Sequence, residues 1–115
     1  YEALKDNMDG DMYLMTEIIK MFMEAWPFYL MDIKNAVLAQ NADLLRHCSH
    51  KLKGSALNAG ASVIAAALYE LEFIGKSGLI EKADMVLKTL DEKFKEYEKE
   101  IRRAGFSINI SGSSK

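Results

Sequence analysis

Apolar residues recur along this chain at spacings of three and four positions, and no segment shows the strict apolar–polar alternation of a half-buried strand. Turn signals between the apolar stripes divide the chain into five predicted helices. They begin, in order, at Asp9 or Asp11, at Pro27, at Asn41, at Ser62 and at about Leu79, and the last ends near Ala104. The first helix is expected to bury Leu14, Ile18, Met21, Phe22 and Ala25.

The short connections between these helices make neighbouring helices antiparallel. We therefore predict an all-α fold: an antiparallel up-down four-helix bundle with an additional N-terminal helix that packs across one end as a lid. The bundle is expected to cover residues 1–105. Residues 106–115 are expected to form a disordered polar tail.

Composition and charge restrict the function classes. The chain has 115 residues, a formal charge of −2 and a single cysteine. This length suits one domain, the charge argues against a nucleic-acid partner or direct membrane contact, and the lone cysteine suits the reducing cytoplasm. No apolar run is long enough to span a membrane. We expect a cytoplasmic monomer. Because the chain begins at Tyr1, we also expect a longer parent protein, for which a membrane-anchored sensor kinase is one candidate.

One face of the third predicted helix carries candidate chemistry. At about 100° per residue, Lys53 lies roughly 60° from His50, Gly54 roughly 40° and Leu57 roughly 20°. Arg46 and His47, one turn earlier, join this face, whereas the opposite face is small or apolar: Leu45, Cys48, Leu52, Ser55 and Ala59. The helix thus offers an imidazole to solvent with a cation beside it and no side chain at Gly54. That pattern is typical of a nucleophile presented to a macromolecule that carries a phosphoryl group.

The segment His50-Lys51-Leu52-Lys53-Gly54-Ser55 resembles the histidine phosphotransfer (HPt) domain family, through the pattern His-x-Leu-Lys-Gly-Ser. The resemblance extends over about residues 4–104. It includes Met8-Asp9-Gly10-Asp11, the apolar segment Ile18 to Phe22, Pro27, Gly60 and the pair Leu71-Glu72. In that family the histidine carries a phosphoryl group to or from the aspartates of receiver domains, or accepts it from a kinase.

The resemblance implies roles for single residues. His50 is the expected phosphoacceptor, Lys53 is expected to stabilise the phosphoryl charge, and Gly54 to leave room for the partner. Glu72 stands twenty-two residues after the histidine, where the family often has Gln or Glu near the imidazole, so it is expected to orient the ring. A helical ion pair between Glu72 and Lys76 is the alternative for that carboxylate.

The implied partners are a response-regulator receiver domain and a histidine kinase, which can belong to the same polypeptide. The residues expected at the partner surface are Arg46, His47, Leu57, Met12 and Met15. We expect no cofactor of the chain's own, because it lacks a nucleotide-binding loop and clustered acidic residues. By the resemblance, the Mg²⁺ that transfer needs would be in the receiver. The expected function is therefore that of a phosphocarrier and not of an enzyme.

Three alternatives remain open at this point. His47, Cys48 and His50 have metal-ligand chemistry, but Cys48 points roughly opposite His50 and no complementary Cys/His set follows, so no metal is expected. The chain could also be a structural bundle in which His50 has no function. The phosphoacceptor domain of a chemotaxis-type histidine kinase is the third alternative, because such domains share the bundle and the motif.

Overall fold

The computed structural model describes residues 9–106, and within them the chain forms four α-helices, one short 3₁₀ helix and no strand. Helix α1 spans Asp9–Leu38, α2 spans Ala42–Asn58, α3 spans Ser62–Ser77 and α4 spans Ala83–Arg103, with the 3₁₀ turn Ile80–Lys82 leading into α4. The all-α fold class is confirmed. In the described range, none of the helices is both long and apolar enough for a membrane span.

The first two predicted helices are one continuous helix, so the predicted break at Pro27 is wrong and residues 9–38 contain no separate lid helix. Proline removes one backbone hydrogen bond and can break a helix at a cost of about 3 kcal/mol. Here Met23, Trp26 and Leu30, on both sides of the proline, are buried in the core. Packing of both halves against the bundle therefore outweighs the local preference of Pro27.

The buried face of α1 is also not the predicted one. Leu14 and Met21 are exposed, whereas the core side is formed by Met15, Ile19, Phe22, Met23, Trp26, Leu30 and Ile33. Met15 is only 3% exposed, which contradicts its predicted place on the partner surface. The helix is apolar on two adjacent faces. Periodicity alone does not decide which of two such faces turns inward.

The other helix ends follow local chemistry. The side chain of Asn41 accepts a hydrogen bond from the Leu44 N–H at 3.0 Å and caps α2 as predicted. A left-handed Gly60 with φ 72° follows the end of α2, and the Ala61 N–H donates back to the Ala56 carbonyl. The sequence favours Ser62 as the cap of α3, but Ala61 takes the cap position and Ser62 is already helical. The apolar spacing of α3 predicts an inward face that the structure confirms as buried: Ile64, Ala67, Leu68, Leu71 and Ile74.

Aromatic packing joins α4 to the rest of the bundle. The rings of Trp26 and Phe94 stack at 4.7 Å, and Phe22 meets Tyr97 edge to face at 5.6 Å. At these two contacts the residue numbers rise along α1 while they fall along α4, so the two helices are antiparallel. The Tyr97 hydroxyl donates to the Ala59 carbonyl at 2.6 Å and ties α4 to the α2–α3 turn.

Phe106, predicted as the first residue of the tail, is buried and its N–H donates to the Ile101 carbonyl at 3.2 Å. The folded part therefore extends one residue further than predicted. The predicted disorder of residues 107–115 lies outside the described residues.

Helices α2 and α3 approach most closely at Gly75. A Cβ atom on this buried glycine would lie 2.7 Å from both the Ala42 carbonyl oxygen and the Arg46 backbone nitrogen. Further along the same contact, Glu72 meets His50. Falling numbers on α3 match rising numbers on α2, so the pair is antiparallel. The up-down order of the whole bundle stays a prediction.

We predict that Gly75→Ala destabilises the domain by about 1–3 kcal/mol, because its methyl group would overlap backbone atoms that cannot move independently of α2. Gly54→Ala is the matched control. Its Cβ would meet nothing within 4 Å, and replacing a mid-helix glycine should stabilise by about 0.5–1 kcal/mol. Urea unfolding followed by circular dichroism measures both. Equal stability of the two variants would contradict the tight contact.

Candidate functional site

Helix α2 turns one face into the core and the other to solvent. Its buried residues are Leu45, Ser49, Leu52 and Ala56. The predicted inner face was therefore off by part of a turn, since Cys48 and Ser55 are only half-buried. The predicted outer face is confirmed: the side chain of His50 is 67% exposed, and Leu57 and Gly54 are exposed as well.

His50 contacts a carboxylate on the neighbouring helix. Its Nδ1 lies 2.8 Å from Oε2 of Glu72 in α3. An ionised carboxylate only accepts hydrogen bonds, so in this contact the proton is on Nδ1 and the Nε2 lone pair of the neutral ring is free. The carboxylate thus reaches the imidazole that the sequence analysis assigned to it. Its predicted effect on phosphoryl transfer stays a prediction.

Lys53 binds the same carboxylate. Its Nζ lies 2.8 Å from Oε1 of Glu72 and 5.0 Å from the centre of the Tyr69 ring. Its side chain is only 21% exposed, which is unusual for a lysine. The ammonium therefore shares the Glu72 carboxylate with His50 and lies over the ring of Tyr69. Neither contact of Lys53 was predicted from the sequence.

The charges of this cluster reinforce one another. The Lys53 ammonium, which donates a hydrogen bond to Glu72, is the main cause that holds the pKa of that carboxyl below its usual range. The contact with His50 lowers this pKa further, and partial burial opposes both effects. Glu72 consequently stays ionised at neutral pH, as an acceptor for the Nδ1–H of His50 must.

The remaining predicted site residues differ in how far they are exposed to solvent. A Cβ on Gly54 would meet nothing within 4 Å, so the space at this position, one turn from His50, is open. Arg46 lies 3.3 Å from Asp43, and the Nε2 of His47 lies 4.0 Å from the same residue. Among the predicted partner residues, Met12, Leu57 and His47 are exposed, and Arg46 is half-buried.

A groove between α1 and α2 adds residues that the sequence analysis did not assign to the site. It has a volume of about 290 Å³, and Met21 of α1 faces Ser55 and Asn58 of α2 across it. Leu14 and Phe28, seven positions before and after Met21, are exposed along the same side of α1. The sequence contained this signal as an apolar stripe, but the stripe was interpreted as core.

Two observations around His50 concern the alternative of a metal site. Burial is the main cause that raises the pKa of the Cys48 thiol, which disfavours the thiolate that binds metals. Among the side chains that the structure describes, in residues 12–106, no three of His, Cys, Asp or Glu come together as a metal site would require. The arrangement instead suits a reaction that needs a neutral, oriented imidazole with a cation beside it.

Comparison with known families supports that interpretation. A family model described as Hpt domain matches residues 17–102 of the chain. The matched range includes the whole of α2 and α3, and with them His50, Lys53 and Glu72. Comparisons with curated proteins and with solved structures gave no match.

We predict that the stabilising effect of Glu72 depends on pH. Because the pKa of the folded carboxyl lies below its usual value of 4.5, the stabilisation is present above about pH 4.5 and is lost as the pH falls through the lowered pKa. The free energy of unfolding of wild type and Glu72→Gln should therefore converge in acid. The gap should change less in a Lys53→Met background, since Lys53 is the main cause of the shift. A gap independent of pH would contradict the ion pair.

Proposed function

Because the chain belongs to the histidine phosphotransfer (HPt) domain family, whose members are phosphocarriers in two-component signalling, we propose that His50 accepts a phosphoryl group and exchanges it with an aspartate of a receiver domain. One observation carries the choice of His50: its Nδ1 lies 2.8 Å from Glu72, which leaves Nε2 as the free nucleophilic nitrogen. His47, the other histidine of the chain, lies 4.0 Å from Asp43 and has no lysine three residues on.

The transfer step needs no general base on this chain. The Nε2 lone pair of His50 attacks the phosphorus of a phospho-aspartate, the new P–N bond forms, and the P–O bond to the aspartate breaks with the carboxylate as leaving group. The ring gains positive charge in this step. Glu72, which accepts the Nδ1–H, stabilises that charge and keeps the ring in one orientation. The reverse step returns the group to a receiver.

Lys53 supplies the positive charge that the phosphoryl oxygens need. Phosphoryl transfer passes through a loose transition state with charge spread over the equatorial oxygens, so catalysis rests on positioning and charge neutralisation. An ammonium has three donors, and Glu72 Oε1 takes one of them. The others remain for the phosphoryl group. The Mg²⁺ of the reaction is expected in the acidic pocket of the receiver, with no cofactor bound by this chain.

The receiver is expected to dock over the exposed face of α2 and the adjoining side of α1. Gly54 leaves its approach to His50 unobstructed. Asn58, one turn beyond Gly54, lines the groove with Met21, and the exposed apolar side chains of Leu14 and Phe28 continue the surface along α1. Arg46, His47, Leu57 and Met12 complete the proposed partner surface. Met15 does not belong to it, because it is buried.

The wider setting is part of the proposal. HPt domains work with receivers and histidine kinases. We accordingly infer a kinase partner, a cytoplasmic setting and a monomeric, up-down bundle that takes no ATP itself. The antiparallel α2–α3 and α1–α4 contacts support the up-down order.

The test is phosphoryl uptake from a panel of phosphorylated receivers with Mg²⁺. We predict a label on wild type that is labile in acid and stable in alkali, as expected of phosphohistidine. His50→Gln should abolish it, because the nucleophile is lost, whereas His47→Gln should keep it. Gly54→Leu should fold but take up label poorly, since the leucine side chain obstructs docking.

Two outcomes would contradict the proposal. Label retained in His50→Gln would place the acceptor elsewhere. No uptake by wild type from any receiver, with circular dichroism confirming the helical fold, would favour the alternative of a phosphoacceptor domain served directly by a chemotaxis-type kinase. Addition of such a kinase with ATP then tests that alternative.

A further inference from the structure

Tyr69 lies beside the cluster of His50, Lys53 and Glu72, with its ring against Lys53. It stands three residues before Glu72 on α3, so the two side chains are neighbours one turn apart. Its ring centre is 5.0 Å from Nζ of Lys53, within the range of a cation–π contact. The residue is nevertheless 61% exposed, so it does not serve to fill the core.

A lysine side chain has a flexible four-carbon stem and samples many rotamers unless contacts restrain it. In this structure Lys53 is mostly covered, and its ammonium contacts both the Glu72 carboxylate and the Tyr69 ring. The ring attracts the cation but offers no oxygen that would occupy its remaining N–H donors. An aromatic neighbour therefore restrains the ammonium and leaves its other donors available.

We propose that Tyr69 is a positioning residue for phosphoryl transfer: its ring holds the Lys53 ammonium against Glu72, where the ammonium can donate to a phosphoryl group on His50. This inference rests on the proposed function of His50. It concerns the ring of Tyr69 and not its hydroxyl group, because the contact is with the ring face.

Three variants separate this role from others. Tyr69→Leu removes the aromatic face, Tyr69→Phe keeps it without the hydroxyl, and Phe73→Leu alters an equally exposed aromatic residue one turn further along α3. Each is tested for labelling by phosphoramidate, a small donor that needs no docking surface. In that reaction the P–N bond of the donor breaks, ammonia leaves, and the new bond forms to Nε2 of His50.

We expect Tyr69→Leu to slow labelling by roughly three- to thirtyfold, the range that corresponds to a cation–π contact. Tyr69→Phe and Phe73→Leu should label at the rate of wild type. A second readout needs no phosphoryl donor: in the free domain, carbon-13 NMR should show the pKa of Glu72 rising in Tyr69→Leu, because Lys53 is less firmly held. Tyr69→Phe should keep the lowered pKa of Glu72, because it retains the aromatic ring.

Labelling of Tyr69→Leu at the wild-type rate would overturn the inference while leaving His50 as the acceptor. So would equal slowing by Phe73→Leu, or a pKa of Glu72 unchanged in Tyr69→Leu. Failure of wild type to accept label from phosphoramidate and from every phosphorylated receiver would overturn the proposed function itself, and this inference with it.

Discussion

A single carboxylate shared between an imidazole and an ammonium organises this site. Glu72 accepts from His50 through one oxygen and from Lys53 through the other, both at 2.8 Å. The ammonium keeps the carboxylate ionised, and the ionised carboxylate fixes the tautomer of the ring. Neither residue of α2 would be oriented in this way without the side chain from α3.

The shared carboxylate depends in turn on how closely two helices approach. Gly75 lets the backbone of α3 lie against the first turns of α2, where any side chain would overlap Ala42 and Arg46. Glu72, one turn before Gly75, then lies opposite His50, one turn after Arg46. The packing of α2 against α3 at Gly75 therefore sets the register that brings Glu72 to the solvent-exposed His50. The Glu72–His50 contact thus depends on the close helix approach that Gly75 permits.

Part of the site could be predicted from the geometry of a single helix. The outer face of α2 followed from the rotation per residue and the cap at Asn41 from its side-chain chemistry, whereas the place of Glu72 near the imidazole came from the family resemblance. The family resemblance added the role of His50, which periodicity does not contain. These features depend on local sequence and on one well-defined helix pair.

Other features depend on tertiary packing and escaped prediction. Pro27 should end a helix by its own preference, but the core holds both halves of α1 in line. The two apolar stripes of α1 are equally periodic, so only the assembled bundle shows that Met15 is inside and Met21 outside. The roles of Gly75 and Tyr69 arise from contacts across helices, with no motif in the chain to mark them.

The most direct test of the shared carboxylate is to determine which ring nitrogen of His50 carries the phosphoryl group. Long-range proton–nitrogen NMR of the phosphorylated, nitrogen-15-labelled domain distinguishes the two positions. Because Glu72 holds the Nδ1–H, the phosphoryl group is expected on Nε2. A phosphoryl group on Nδ1 would contradict the account, since that nitrogen would then have to leave Glu72 before it could react.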